Sequence, residues 1–180
     1  MDIRLDQEPE GPLQGIRVLD ITGMITGPLC GQHLGDLGAD VIKIEPLHGE
    51  VARWMMLPDK AGLTGFYAQQ NRNKRSLAVD LKNPEGIALV RKLAEDADIL
   101  VENFRAGVAD RLGIGYEDLK AINERLVYLA ITGFGPSGPY SERPTYDPIA
   151  QGLVGGCFIQ EFEAHSSVRP IPCSIGSGAP

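Results

Sequence analysis

One stretch near the start constrains this chain more than any other. An apolar, β-branched run GIRVLDIT (15–22) leads into a glycine-rich segment GMITGPLCGQHLGDLGAD (23–40), and a second apolar run VIKIE (41–45) follows. Two short strands joined by a helix form a βαβ unit, which demands a parallel sheet and a right-handed crossover. Inside the link, Pro28 suits the first helical turn, where its missing N–H costs nothing, and Gly38 suits the position that ends the helix. The pattern then repeats. Residues 51–70 read as an irregular excursion with a helical turn, and SLAVDL (76–81) as a strand. Asn83 caps a helix opened by Pro84, with Ile87, Val90, Leu93 and Ala97 on one face. DILVENF (98–104) and LVYLAITGF (126–134) are further strands, separated by short helices in GVADRLG and YEDLKAINERL. Such alternation predicts an α/β fold, a Rossmann-like parallel sheet with helices on both faces.

Residues 1–14 read as a solvated leader, 15–156 as the α/β domain and 157–180 as an irregular tail. After Gly133 the segment GFGPSGPYSERPTYDP is loop chemistry, and Asp147 is placed to cap a helix over DPIAQGLVGG. The last stretch, CFIQEFEAHSSVRPIPCSIGSGAP, has no helical period, so the final α/β unit is expected to be incomplete, its C-terminus truncated or altered.

With 43% hydrophobic and 23% charged residues, the 180-residue chain has globular composition. A formal charge of −7 argues against a dedicated nucleic-acid binder, though not against a local basic pocket for a small phosphorylated ligand. No apolar run approaches the roughly 20 residues of a membrane span. The acidic N-terminus lacks a signal-peptide core, and a soluble cytoplasmic protein is expected. Cys30, Cys157 and Cys173 are too scattered for a disulfide framework or zinc site, and no base near them in sequence marks a thiol nucleophile.

Gly23, Gly27, Gly31 and Gly35 recur at every fourth position, which lets a strand or a ligand approach the helix backbone closely. The helix start near Gly27 suits an anionic group, while helix–strand packing accounts equally for the spacing. Glu45 ends the second strand where dinucleotide folds carry a ribose-binding carboxylate. Without a G-x-G-x-x-G turn, a surface carboxylate is the simpler account. Arg72, Lys74 and Arg75 in NRNKRS either hold phosphates or form a solvated loop. Asn103, Arg105 and Arg111 follow another strand, at the edge where α/β proteins bind ligands, and strengthen the case for a phosphate-binding rim. His33 reads as a packing or capping group, His48 and His165 lack metal-ligand spacing, and Trp54, Met55 and Met56 suit core or interface.

Taken in order, GIRVLDITGMITGPLCGQHLGDLGADVIKIE, NRNKRSLAVDLKNPEG, ADILVENFRAGVADRLGIGYEDL and ITGFGPSGPYSERPTYDPIAQGLVGG resemble the class III CoA-transferases, the formyl-CoA transferase and carnitine CoA-transferase group. The likeness runs from about residue 14 to 156 and covers the N-terminal part of the family pattern, so the sheet is expected to be incomplete relative to the family's large domain. It implies CoA or acyl-CoA as substrate, with no permanently bound cofactor, and a carboxylic acid as acceptor. It also implies a homodimer of interlocked subunits. In the reaction so implied, a catalytic aspartate attacks the donor thioester, forms a mixed anhydride and releases CoA thiolate.

Carried over by motif, Ile25 and Thr26 lie where the family lines its CoA cleft. Val79, Asp80, Leu81 and Lys82 match a second CoA-contacting segment, and Asn103, Phe104, Arg105 and Arg111 a third. Tyr146 and Asp147 match the loop toward the thioester. Related racemases carry a histidine before that aspartate, so Tyr146 favours the transferase branch. Pro46 stands where some members have a CoA-binding arginine. Laid on the family's V-R-P run, VRPIPCSIGS sets the nucleophilic aspartate at position 176, which is Gly176. No Asp follows Asp147, and Glu161 and Glu163 are the only later carboxylates. The expectation is an inactive fragment of a CoA-transferase, with no catalytic residue of its own. The alternatives are a non-catalytic acyl-CoA-binding module, a racemase relative and an NAD-type oxidoreductase.

Overall fold

The structure, a computed structural model, describes residues 10–55, 64–154 and 176–177. Five strands, β1 (Arg17–Ile21), β2 (Asp40–Glu45), β3 (Lys74–Ala78), β4 (Ile99–Glu102) and β5 (Val127–Ala130), form one sheet in the order β3-β2-β1-β4-β5. Every pairing in it is parallel. That order is the Rossmann-like arrangement expected from the alternation. The chain reverses direction across the sheet between β1 and β4, so the turns after these two strands border a crevice.

The linking helices are α1 (Thr26–Asp36), α2 (Gly65–Asn71), α3 (Pro84–Glu95), α4 (Val108–Arg111) and α5 (Tyr116–Lys120), with a 3-10 turn over Val51–Arg53. One core cluster joins Leu19, Ile44 and Leu100 of the sheet to Val90 and Ala94 of α3, Ile114, and Leu119 of α5. A second joins Val18, Val41 and Val101 to Cys30 and Leu34 of α1. The two clusters lie on opposite faces of the sheet, because neighbouring strand residues point to opposite sides. Leu13 packs on the second cluster, and its N–H donates to Leu37 O at 2.9 Å, so the end of the leader is tied to the domain.

Local signals place several boundaries correctly. Asn83 accepts the Glu85 N–H at 3.0 Å, with Pro84 opening α3. Gly38 has a φ of +95° just past α1, a conformation that favours glycine. Pro28 lies in the first turn of α1, which begins at Thr26. Others move. Strand β3 begins at Lys74 rather than at residue 76 and ends at Ala78, because Val41 through Glu45 of β2 pair with Lys74 through Ala78. Beyond Glu102 and Ala130 the expected strands also give way to loops. Asp147 is the first residue of α6 (Asp147–Leu153), and Tyr146 takes the cap position. Tyr146 belongs to β6 (Thr145–Tyr146), which pairs antiparallel with β7 (Gly176–Ser177).

Candidate functional site

Five parallel strands end on one edge, roughly 20 Å across at the usual inter-strand spacing. The segments singled out from the sequence leave from that edge. Residues 22–25 follow β1, Val79–Lys82 follow β3, Asn103–Arg105 follow β4 and residues 131–133 follow β5.

The turn after β1 is locked to the loop after β4 across the crevice. Asn103 accepts the Gly23 N–H at 2.9 Å and donates to Gly23 O at 2.8 Å. Downstream, the N–H groups of Ile25, Thr26 and Gly27 meet no acceptor among the described residues, as expected at a helix start. The Thr26 hydroxyl is shielded from solvent and also has no partner among the described residues. On the other side, Asn103 through Ala106 border a small cavity shared with Ile131–Gly133, Ser141 and Arg143–Thr145. A Cβ on Gly133 would collide with Thr145, so this loop passes close to the strand that carries Tyr146. The side chains of Asp147 and Pro148 lie outside the described structure, as do His165, Cys157, Cys173, Met56, Glu161 and Glu163.

The individual candidates divide by burial. Val79 is buried in the core, and the partly buried Leu81 and Phe104 pack on it. Asp80 is exposed and accepts the Lys82 N–H at 2.9 Å. Lys82, Arg105 and Arg111 are exposed and form no ion pair or side-chain hydrogen bond among the described residues. The Arg111 guanidinium folds back toward Gly107 in the loop after β4. Three unspent cations therefore follow strands β3 and β4.

The NRNKRS cluster behaves otherwise. Arg72 pairs with Asp36 at 2.5 Å and Arg75 with Asp40 at 2.6 Å. Lys74 is drawn inward, 2.7 Å from Asp20 and also bonded to Pro28 O and Asn71. These cations hold helices and strands together and are not free for phosphate. Glu45 is no surface carboxylate. Arg53 binds it through two nitrogens at 2.7 and 2.6 Å, and Tyr67, Ser76 and the Glu50 N–H also donate to it. Burial alone would raise its pKa, but these donors outweigh burial and hold it at about 2. Nothing in the sequence marked Lys43, a fully buried lysine beneath the β1 turn. Its place in a continuous apolar strand was the only available signal.

A larger cavity, about 630 Å³, opens between β4, β5, α4 and α5. Glu102, Arg105, Asp110, Tyr116, Tyr128 and Thr132 line it. Burial pushes the Glu102 carboxyl up to about 7, against the opposing effect of the Phe104 N–H that it accepts at 2.7 Å. Glu102 escaped the sequence reading because it lies inside an apolar strand run. Cys30 is half-buried with its thiol raised by burial, which fits a packing role. His33 is exposed in the last turn of α1, and Trp54 and Met55 are exposed rather than core. Among the described residues no group of His, Cys, Asp and Glu could hold a metal ion, and no helix is long and apolar enough to cross a membrane.

Comparison with known proteins follows the same outline. Residues 13–176 match CoA-transferase family III. The human succinyl-CoA:glutarate CoA-transferase is 40% identical over 160 residues, covering 88% of this chain and 36% of that protein. The succinate–glutarate CoA-transferase of Agrobacterium fabrum is 44% identical over 151 residues, covering 80% of this chain and 38% of its own length. Among solved structures, a CAIB/BAIF family protein from Brucella suis superposes with a TM-score of 0.76 at 43% identity, covering 81% of this chain and 39% of that one. The chain thus spans about two fifths of the length of the relatives it matches.

Proposed function

The chain belongs to CoA-transferase family III, and from that premise we propose that its sheet edge binds coenzyme A and acyl-CoA thioesters. The observation that carries this reading is the pairing of two features at one edge. The unspent cations Lys82, Arg105 and Arg111 suit the phosphates of CoA. The free N–H groups of Ile25, Thr26 and Gly27, with the Thr26 hydroxyl, suit an anionic or carbonyl oxygen. Asn103 positions the second feature against the first through its two hydrogen bonds with the Gly23 backbone. Lys82, Arg105 and Arg111 supply the charge complement, and Ile25, Thr26, Tyr146 and Asp147 border the path toward the thioester. Val79, Asp80, Leu81 and Phe104 hold the loops that carry these groups.

In the family reaction, CoA passes from an acyl-CoA to a free carboxylate through an aspartyl mixed anhydride. In this chain the position that the resemblance assigns to that nucleophile is Gly176, and a glycine has no side chain to attack a thioester. We therefore assign this chain thioester binding and not transfer, in a soluble cytoplasmic setting and with a homodimer as the family assembly. An acyl-CoA-binding module without catalysis is the form of the reading that Gly176 favours.

Calorimetric titration of the folded 180-residue chain with CoA, with NAD as control, tests it. Saturable binding of CoA but not NAD is expected. Lys82→Ala and Arg111→Ala should each weaken binding severalfold, since each removes one charge-assisted phosphate contact. No heat with CoA from a sample that melts cooperatively would overturn the assignment.

A further inference from the structure

The turn after β1 bends through Met24, a non-glycine residue with a φ of +69°. A residue with a Cβ is disfavoured there about tenfold or more, whereas glycine adopts the conformation freely. Buried polar side chains from separate elements hold this turn. Asp20 accepts the Thr22 N–H at 3.0 Å, and Lys43 donates to Thr22 O at 2.7 Å. Asn103 takes both polar groups of Gly23. Glu50 Oε2 accepts the Met24 N–H at 3.2 Å, and its other oxygen accepts from Asn71 at 3.3 Å. Lys43 Nζ lies 3.7 Å from Glu50 and 4.0 Å from Asp20, beneath the turn.

Burying two lysines and two carboxylates is not what packing alone favours, since apolar replacements of buried ion pairs are often as stable or more so. Each member of this group instead meets a backbone group of the turn, or a partner that does. The first unbonded N–H groups of the chain's ligand edge, those of Ile25, Thr26 and Gly27, come directly after Met24.

We propose that Glu50 is a positioning residue for thioester binding, which holds Met24 in the left-handed conformation and so sets how the N–H groups of residues 25–27 meet the ligand. Lys43 neutralises Glu50 and fixes the preceding peptide. The proposal rests on the CoA-binding reading above. A turn that loses its anchor spends less time in the competent conformation, and apparent affinity falls by that fraction.

The test is CoA titration of the full chain in a short series of variants. Glu50→Ala strands the buried Lys43 and can cost folding, so Met24→Gly and Met24→Val probe the same conformation without touching the buried charges. Met24→Val is expected to bind CoA about tenfold more weakly than Met24→Gly, because a β-branched residue resists a positive φ most. The reverse order would mean that the Met24 side chain itself contacts the ligand, and would overturn the proposal. Glu50→Ala is expected to lose about tenfold in affinity, and only about twofold in the Met24→Gly background, where the conformation needs no anchor. A merely structural role for Glu50 would lower the melting temperature alike in both backgrounds and leave no such coupling in affinity. Equal CoA binding by wild type, Met24→Val and Glu50→Ala overturns the proposal and leaves the binding assignment standing. A folded wild-type chain that gives no heat with CoA overturns both.

Discussion

Replacing Gly31 by alanine sets two effects of opposite sign against each other. On an open helix surface the change adds about 1 kcal/mol of stability, because glycine is the poorer helix former. In α1 a Cβ on Gly31 would stand 2.5 Å from Asp20 Oδ2, 3.2 Å from Asp20 Cγ and 3.2 Å from Lys74 Nζ. Asp20 cannot swing aside at little cost. It already accepts from the Thr22 N–H, the Thr22 hydroxyl and Lys74, and it is fully buried. Either α1 lifts from the sheet, at about 1–3 kcal/mol for overpacking, or the charge-assisted bond to Lys74 breaks, at about 1.5–3 kcal/mol. Taking the helix gain from the larger of these leaves a net loss of about 2 kcal/mol, or a melting temperature about 4–8 °C lower in a chain of this size. Urea unfolding followed by circular dichroism measures it. Gly65→Ala is the control. It opens α2 with nothing within 4 Å of its Cβ, and is expected to be neutral or slightly stabilising. If Gly31→Ala proves as stable as Gly65→Ala, the close approach of α1 to the buried Asp20–Lys74 pair is wrong.

Two further outcomes follow from the buried carboxylates. The folded-state pKa of Glu102 is raised from an ordinary 4.5 to about 7, so its contribution is complete below pH 4.5 and is lost as pH rises through 7. Roughly 2–3 kcal/mol of stability should fade between pH 5 and 8, and Glu102→Gln should flatten that slope in urea midpoints measured across the range. Glu45 behaves in the opposite sense. Held at about 2, it stabilises above pH 4.5 and loses that contribution as pH falls toward 2. Arg53→Met leaves this buried carboxylate without its cation and is expected to cost about 3 kcal/mol at pH 7, the low end for a broken buried pair because Arg53 is 22% exposed. A change under about 0.5 kcal/mol would show that the pair is screened like a surface bridge.

The sequence by itself determined the elements whose signals are local. Strand–helix alternation required a parallel sheet, Asn83 with Pro84 started α3, and Gly38 ended α1. The order of loops along the chain also carried the gathering of these turns at one edge, since parallel strands place all their following turns on one side. Which charges face that edge was decided only in three dimensions. Lys82, Arg105 and Arg111 form no ion pair among the described residues, while Lys74 crosses 54 residues of sequence to reach Asp20 and Arg72 crosses 36 to reach Asp36. Lys43 and Glu50 lie in the same buried group and meet the turn at Thr22 O and Met24 N–H. Hydrophobic period and capping act within a few residues, so composition along the chain reveals them. Ion pairing depends on distance and burial after the sheet has assembled, and the same basic residue reads alike in sequence whether it will meet solvent, a phosphate or a buried carboxylate.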